Sequence, residues 1–208
     1  SWCVNDRVWQ GETVRWEMQS PKDNRWYYVV NSPVVHADGS ISKVAMIQDI
    51  NDRKQNEERI IHLNMVLRSV SRINQLIVEE RDQQKLLQAA CDILIDNPDY
   101  RLVWIGLIRE GTYDILPPAA KAGHDNGYLE DIRITWDDSP FGQGPTGTAI
   151  KTRRPSYVND MEKELRFSPW REKARQRGYA SSVTVPIMSE DRIYGAMNVY
   201  FGTVNFLD

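Results

Sequence analysis

The chain has 208 residues, 41% hydrophobic and 26% charged, the balance of a soluble globular protein with length for one large domain or two small ones. Aromatics at 10%, seven tryptophans among them, exclude a disordered polymer, and a formal charge of −3 offers no basic field to draw nucleic acid or an acidic membrane surface. Membrane insertion, secretion and a disulfide framework are not expected: no apolar run approaches the roughly 18–20 residues of a bilayer span, Ser1–Asp6 lacks the order of a signal peptide, and Cys3 and Cys91 are too few, so a cytoplasmic protein is expected.

In chain order, residues 1–50 read as strands separated by turns, with Trp2, Trp9, Trp16 and Trp26 among them. Trp26–Val35 has the aromatic and β-branched density of a strand. His36–Ser40 carries the Asp38-Gly39 pair of a tight hairpin turn, Ile41–Ile50 is the return strand, and a third strand falls near Thr13–Gln19. Three strands make a poor core, so this segment is expected to be part of a domain.

Residues 51–97 contain neither Gly nor Pro and read as helix. Ile60, Leu63, Leu67, Val70, Asn74 and Ile77 form a heptad seam in which Asn74 takes an a position, where a buried Asn fixes register and favours two strands. A parallel dimeric coil and a single amphipathic helix packed on its own domain both fit the pattern. The seam lapses at Glu79–Asp82, Leu87, Ala90, Cys91 and Leu94 then start a stripe of ordinary core spacing, and Pro98 ends the helix. Beyond it, Arg101–Ile108, Ser181–Ile187 and Ile193–Phe201 read as strands and residues 145–152 and 167–177 as helices, which predicts an α+β domain.

Two families are met along the way. Residues 24–58 resemble the C-terminal part of a PAS domain: Arg25-Trp26-Tyr27 opens a strand, Asp38-Gly39 turns, and Gln48-Asp49-Ile50-Asn51-Asp52-Arg53-Lys54 matches the family's exit into a signalling helix. About half of a PAS domain is present, and this portion implies no cofactor. Residues from about 72 to 208 resemble a GAF domain through Val103–Leu107, Gly144–Ile150, Arg154–Asp160, Arg166–Arg171, Gly178–Ser182 and Tyr194–Tyr200. The resemblance implies a GAF-like antiparallel sheet flanked by helices, preceded by a long helix and a PAS-type hairpin. The expected layout is incomplete PAS strands over 1–51, a signalling helix or coiled-coil linker over 52–80, and a GAF domain over 81–208 whose closing helix would follow Asp208. By family company the whole is expected to be a sensory module, with no enzyme activity of its own, that feeds a histidine kinase of a two-component system or a diguanylate cyclase of cyclic-di-GMP signalling.

The candidate chemistry is sparse. Gly142-Gln143-Gly144-Pro145-Thr146-Gly147 satisfies G-x-G-x-x-G but follows a loop, so it reads as the entry to a helix and not as a dinucleotide site. His36, His62 and His124 lie far apart, and Cys91 sits on an apolar stripe as a small hydrophobe. GAF-fold enzymes that reduce free methionine sulfoxide use several cysteines on loops near the pocket, which this domain lacks. Strand parity sets Ser182, Thr184, Asn198 and Tyr200 on one face and Val183, Val185, Met197 and Val199 on the other. With Trp104, Trp136 and Trp170, the first four are expected to wall a small-molecule pocket; aromatics that merely fill the core of a structural dimerisation module fit as well. The expected partners are a second copy, held through Ile60 to Ile77, a small ligand and an output domain. No cofactor or metal is named.

Overall fold

A computed structural model describes residues 4–115 and 118–205. The chain divides into two compact units, residues 1–66 and 67–208. The first holds a short helix α1 (Val4–Trp9) and three strands, β1 (Val14–Gln19), β2 (Trp26–Val35) and β3 (Ile41–Asp49), in an antiparallel sheet of order β1-β2-β3. The predicted hairpin is there, with Tyr27 opposite Asp49 and Val35 opposite Ile41. At its turn Gly39 takes φ +80°, a conformation open to glycine, and the Asp38 carboxylate accepts from the Ser40 amide at 2.9 Å and hydroxyl at 2.6 Å. Strands were expected throughout residues 1–50, but Val4–Trp9 is helical and its Val8 is fully buried beside the sheet's own buried Val14 and Val29; Trp2 lies outside the described residues. Every residue of the edge strand β3 is exposed, Val44, Met46 and Ile47 included.

The long helix α2 (Asn51–Glu79) starts directly after buried Ile50, whose amide donates to the Trp26 carbonyl at 2.9 Å. Its first turn is tied to β1 through Glu17, which accepts from Arg53 and pairs with Lys54 at 2.6 Å. Both cations lower the Glu17 pKa, the Lys54 bond most. No residue of α2 is buried.

The continuous helix expected over residues 51–97 is two helices. The Glu80 carboxylate accepts from the Arg81 and Asp82 amides, both at 2.8 Å, and Asp82 then caps α3 (Gln83–Ile95) by accepting from the Lys85 amide at 3.1 Å. Acidic side chains here take over the backbone donors that a continuing helix would use.

The second unit is built on five antiparallel strands: β4 (Tyr100–Leu107), β5 (Ala120–Gly123), β6 (Ser156–Val158), β7 (Ser181–Ser189) and β8 (Arg192–Phe201), in the order β5-β4-β8-β7-β6. β4 and β8 pair from Leu102–Tyr200 through Leu107–Gly195, so their alternating side chains sort onto the same two faces. One face sets Val103, Ile105, Val199 and Phe201 against Leu87, Cys91 and Leu94 of α3. The other sets Leu102, Trp104 and Tyr200 beneath a cover of short elements. These are α4 (Tyr128–Asp131), α5 (Pro145–Thr152), a 3-10 turn (Leu165–Phe167) and α6 (Arg171–Gln176). The helix predicted over 167–177 begins only at Arg171; ahead of it the amides of Phe167, Ser168 and Trp170 bond to carbonyls three residues back, as in 3-10 turns. The result is an α+β fold of an antiparallel sheet flanked by helices, as expected.

Candidate ligand cleft

The covered face of the sheet is not closed everywhere. Trp104, in the middle of β4 and 2% exposed, floors an open cleft of about 530 Å³, within the usual range for small-molecule sites. Gly106, two residues on, makes the floor possible. A Cβ there would lie 2.5 Å from Ile115 Cγ2 and 2.7 Å from Trp104 Cζ3, so only glycine lets Ile115 close over the indole. Ile115, Pro118, Leu129, Ile132 and Ile134 complete an apolar lining, and Arg109, Asp114, Glu130 and Arg133 stand on it as charges.

Local bonds hold this wall. The Asp125 carboxylate accepts from the Leu129 amide at 2.9 Å and pairs with Lys121, raising the lysine pKa, which fixes the start of α4 and so Leu129 and Glu130. Trp170 Nε1 donates to the Arg133 carbonyl at 2.9 Å, and the Ile115 amide donates to the Ile134 carbonyl at 3.3 Å. The irregular segment 132–134 is thereby pinned on both sides. Arg133 pairs with Asp114 at 3.6 Å and lies 5.9 Å from the centre of the Phe141 ring.

Behind the cleft the cover is aromatic. Tyr128, Tyr179 and Tyr200 form a triangle of ring contacts at 5.1–5.7 Å. Burial pushes the Tyr200 hydroxyl up to about 12 and raises Tyr128, so both stay neutral at physiological pH. A void of about 10 Å³, room for roughly one water, lies between Tyr200, Trp170 and the start of α5, with Ile134 lining both void and cleft.

Of the side chains singled out in the sequence, Trp104 floors the cleft, while Trp170 and Tyr200 line the small void. Thr184 and Asn198 line neither: Asn198 Oδ1 accepts from Thr146 Oγ1 and Thr184 Oγ1, each at 2.8 Å, and this buried junction fastens α5 to the sheet. Ser182 is buried with its hydroxyl unpartnered. Trp136 contacts Tyr113 edge to face at 4.9 Å, away from the lining, and its Nε1 is also unpartnered. Parity placed Ser182, Thr184 and Asn198 on the correct face but carried no information on where the cover leaves a gap. The residues it missed lie on the β4–β5 connection, on α4 and in segment 132–134, where the visible signal is the apolar–charged–apolar run Ile132-Arg133-Ile134.

The glycine motif serves packing. A Cβ on Gly147 would lie 2.2 Å from the Gly142 carbonyl oxygen and one on Gly142 2.1 Å from that of Asp137, so these residues fold a loop onto itself ahead of α5. The three histidines fall in the β2–β3 turn, on α2 and after β5, and form no cluster. Cys91 is fully buried, with its thiol pushed up to about 12 chiefly by that burial, which disfavours the thiolate form; Cys3 lies outside the described residues. On α2 the seam residues Ile60, Leu63, Leu67, Val70 and Ile77 are 49–64% exposed, and Asn74 is exposed too.

A five-stranded antiparallel sheet, a helix layer on one face and a ligand-sized cleft on the other define a small α+β domain of a cleft-bearing type. Residues 80–208 match the family model of the GAF domain, and the chain belongs to that family. Such domains are typically sensory or regulatory. No curated protein sequence matches the chain. Among solved structures, the reduced free methionine-R-sulfoxide reductase of Staphylococcus aureus is similar over 70% of this chain and 83% of its own, at 21% identity and a TM-score of 0.55. A putative GAF sensor protein from Burkholderia vietnamiensis matches over the same shares at 17% identity and 0.55. The Neisseria meningitidis free methionine-R-sulfoxide reductase, solved with its substrate, covers 65% of this chain and 72% of its own at 18% identity and 0.52. These likenesses concern the fold. They correct one expectation: enzymes share this fold with sensors, so the GAF resemblance gives no ground for calling the chain a non-enzyme.

Proposed function

We propose that this GAF domain binds a small molecule in the Trp104 cleft, and that binding is the regulatory event of a signalling module. The carrying observation is the cleft itself: an apolar floor set on a rigid strand, roofed by pinned short segments and carrying four charged side chains. We read residues 1–66 as the PAS-derived end of an upstream sensor, on the support of its hairpin and of Glu17, which grips Arg53 and Lys54 at the helix entry. We read α2 as the signalling helix, paired in parallel with a second copy through Ile60, Leu63, Leu67, Val70, Asn74 and Ile77. An exposed heptad seam supports this, and it feeds an output domain such as a histidine kinase or a diguanylate cyclase.

Native mass spectrometry of the purified chain tests the reading, with its subunit number and any retained molecule read together. A dimer with an added mass that Ile132→Trp removes supports it. A bare dimer that gains mass from no metabolite pool favours a structural dimerisation module. Because reductases share the fold, the same sample is offered free methionine-R-sulfoxide with a thiol reductant; turnover replaces regulation by catalysis, and turnover kept in Cys91→Ser excludes Cys91 as its nucleophile.

A further inference from the structure

The charges on the cleft differ in their commitments. Asp114 and Arg133 face each other at 3.6 Å and largely answer one another. Arg109 and Glu130, one of each sign, line the same cleft with no ion-pair partner among the described residues. Lys121 acts on Glu130 through space only, being bonded itself to Asp125. The lining is thus neutral overall, with a free cation and a free anion above an apolar floor. A phosphate-rich ligand would meet Glu130 and Asp114 as repulsive neighbours, and a simple cation would meet two arginines. A molecule that carries both charges at one end and an apolar body at the other leaves none of these groups opposed. Resting on the reading of this cleft as a ligand site, we infer that its ligand is a free amino acid with an apolar side chain. Its carboxylate is held by Arg109, its ammonium by Glu130, and its side chain lies over Trp104 between Leu129 and Ile134.

The test is isothermal titration of the whole chain with L-leucine, L-methionine and L-phenylalanine, beside two single-charge relatives of leucine, 4-methylpentanoate and 3-methylbutylamine. The expected result is binding of at least one amino acid, with both single-charge compounds weaker by about tenfold or more, the usual scale of one charged hydrogen bond. Arg109→Met and Glu130→Gln, both exposed and so without cost to the fold, are expected to weaken the amino acid by a similar factor. Three results overturn the inference: no binding of any of the three at millimolar concentration, equal binding of a single-charge compound, or undiminished binding in both variants. If the purified protein carries some other molecule that Ile132→Trp expels, the cleft stands as a ligand site and the amino acid does not. If Ile132→Trp leaves amino-acid binding intact, the cleft is the wrong site and both readings fall.

Discussion

Two residues show how closely local chemistry and global packing are joined. Gly106 is required by what lies above it, not by its backbone, and Gly106→Ala forces a methyl group against Ile115 and the Trp104 ring at under 3 Å. Overpacking of this kind costs about 1–3 kcal/mol, so the variant is expected to unfold at correspondingly lower urea and to lose affinity at the cleft; an unchanged midpoint would mean that Ile115 moves aside freely. Cys91 makes a pH-dependent prediction. Burial raises its pKa from an ordinary 9.0 to about 12, so the folded protein keeps the proton that the unfolded chain releases. Stability from this group is therefore complete below pH 9.0 and is lost as the pH climbs toward about 12. Urea midpoints measured across that window should fall less steeply in Cys91→Ala than in the parent, and parallel curves would count against the shift. Trp104 was legible in the sequence because it sits in a long, near-continuous apolar run that reads as a buried strand. Arg109, Glu130 and Ile132 were not, since they stand in short or irregular segments whose positions are fixed by side-chain bonds such as those of Asp125 and Trp170.

At the scale of elements, length decided what was legible. The hairpin of the first unit, β4, β7, β8 and α5 each run for eight residues or more, long enough for a pattern to be read; β5 has four residues, β6 three and α4 four, too few for one. The break between α2 and α3 had a visible trace in the lapsed seam, but the capping by Glu80 and Asp82 that enforces it is a matter of side-chain geometry. The seam itself yields a clean experiment. Leu67 and Val70 are 64% and 49% exposed, so replacing both by Glu removes little packing within the chain. On the proposed pairing, sedimentation should show a dimer for the parent that dissociates in the double variant while the thermal midpoint of the GAF domain holds. A dimer that survives would place its interface elsewhere.

Across the whole molecule the two faces of the five-stranded sheet divide the labour. The α3 side is an apolar layer of aliphatic residues and Phe201 around Cys91, which supplies cohesion. The opposite side mixes rings and hydroxyls, and there the Tyr200 hydroxyl accepts from the Tyr128 hydroxyl and from Trp104 Nε1. The fold class could be read from strand and helix order because it depends on which residues are apolar and how they alternate. The cleft could not, because it depends on where a set of short covering segments stops short. One consequence follows from the placing of the indoles. Trp104 underlies the cleft and Trp170 holds its wall through the Arg133 carbonyl, so the domain carries its own optical reporter. A molecule settling on the floor must change the surroundings of Trp104, and its arrival should be visible as a shift or quenching of intrinsic emission, without any label.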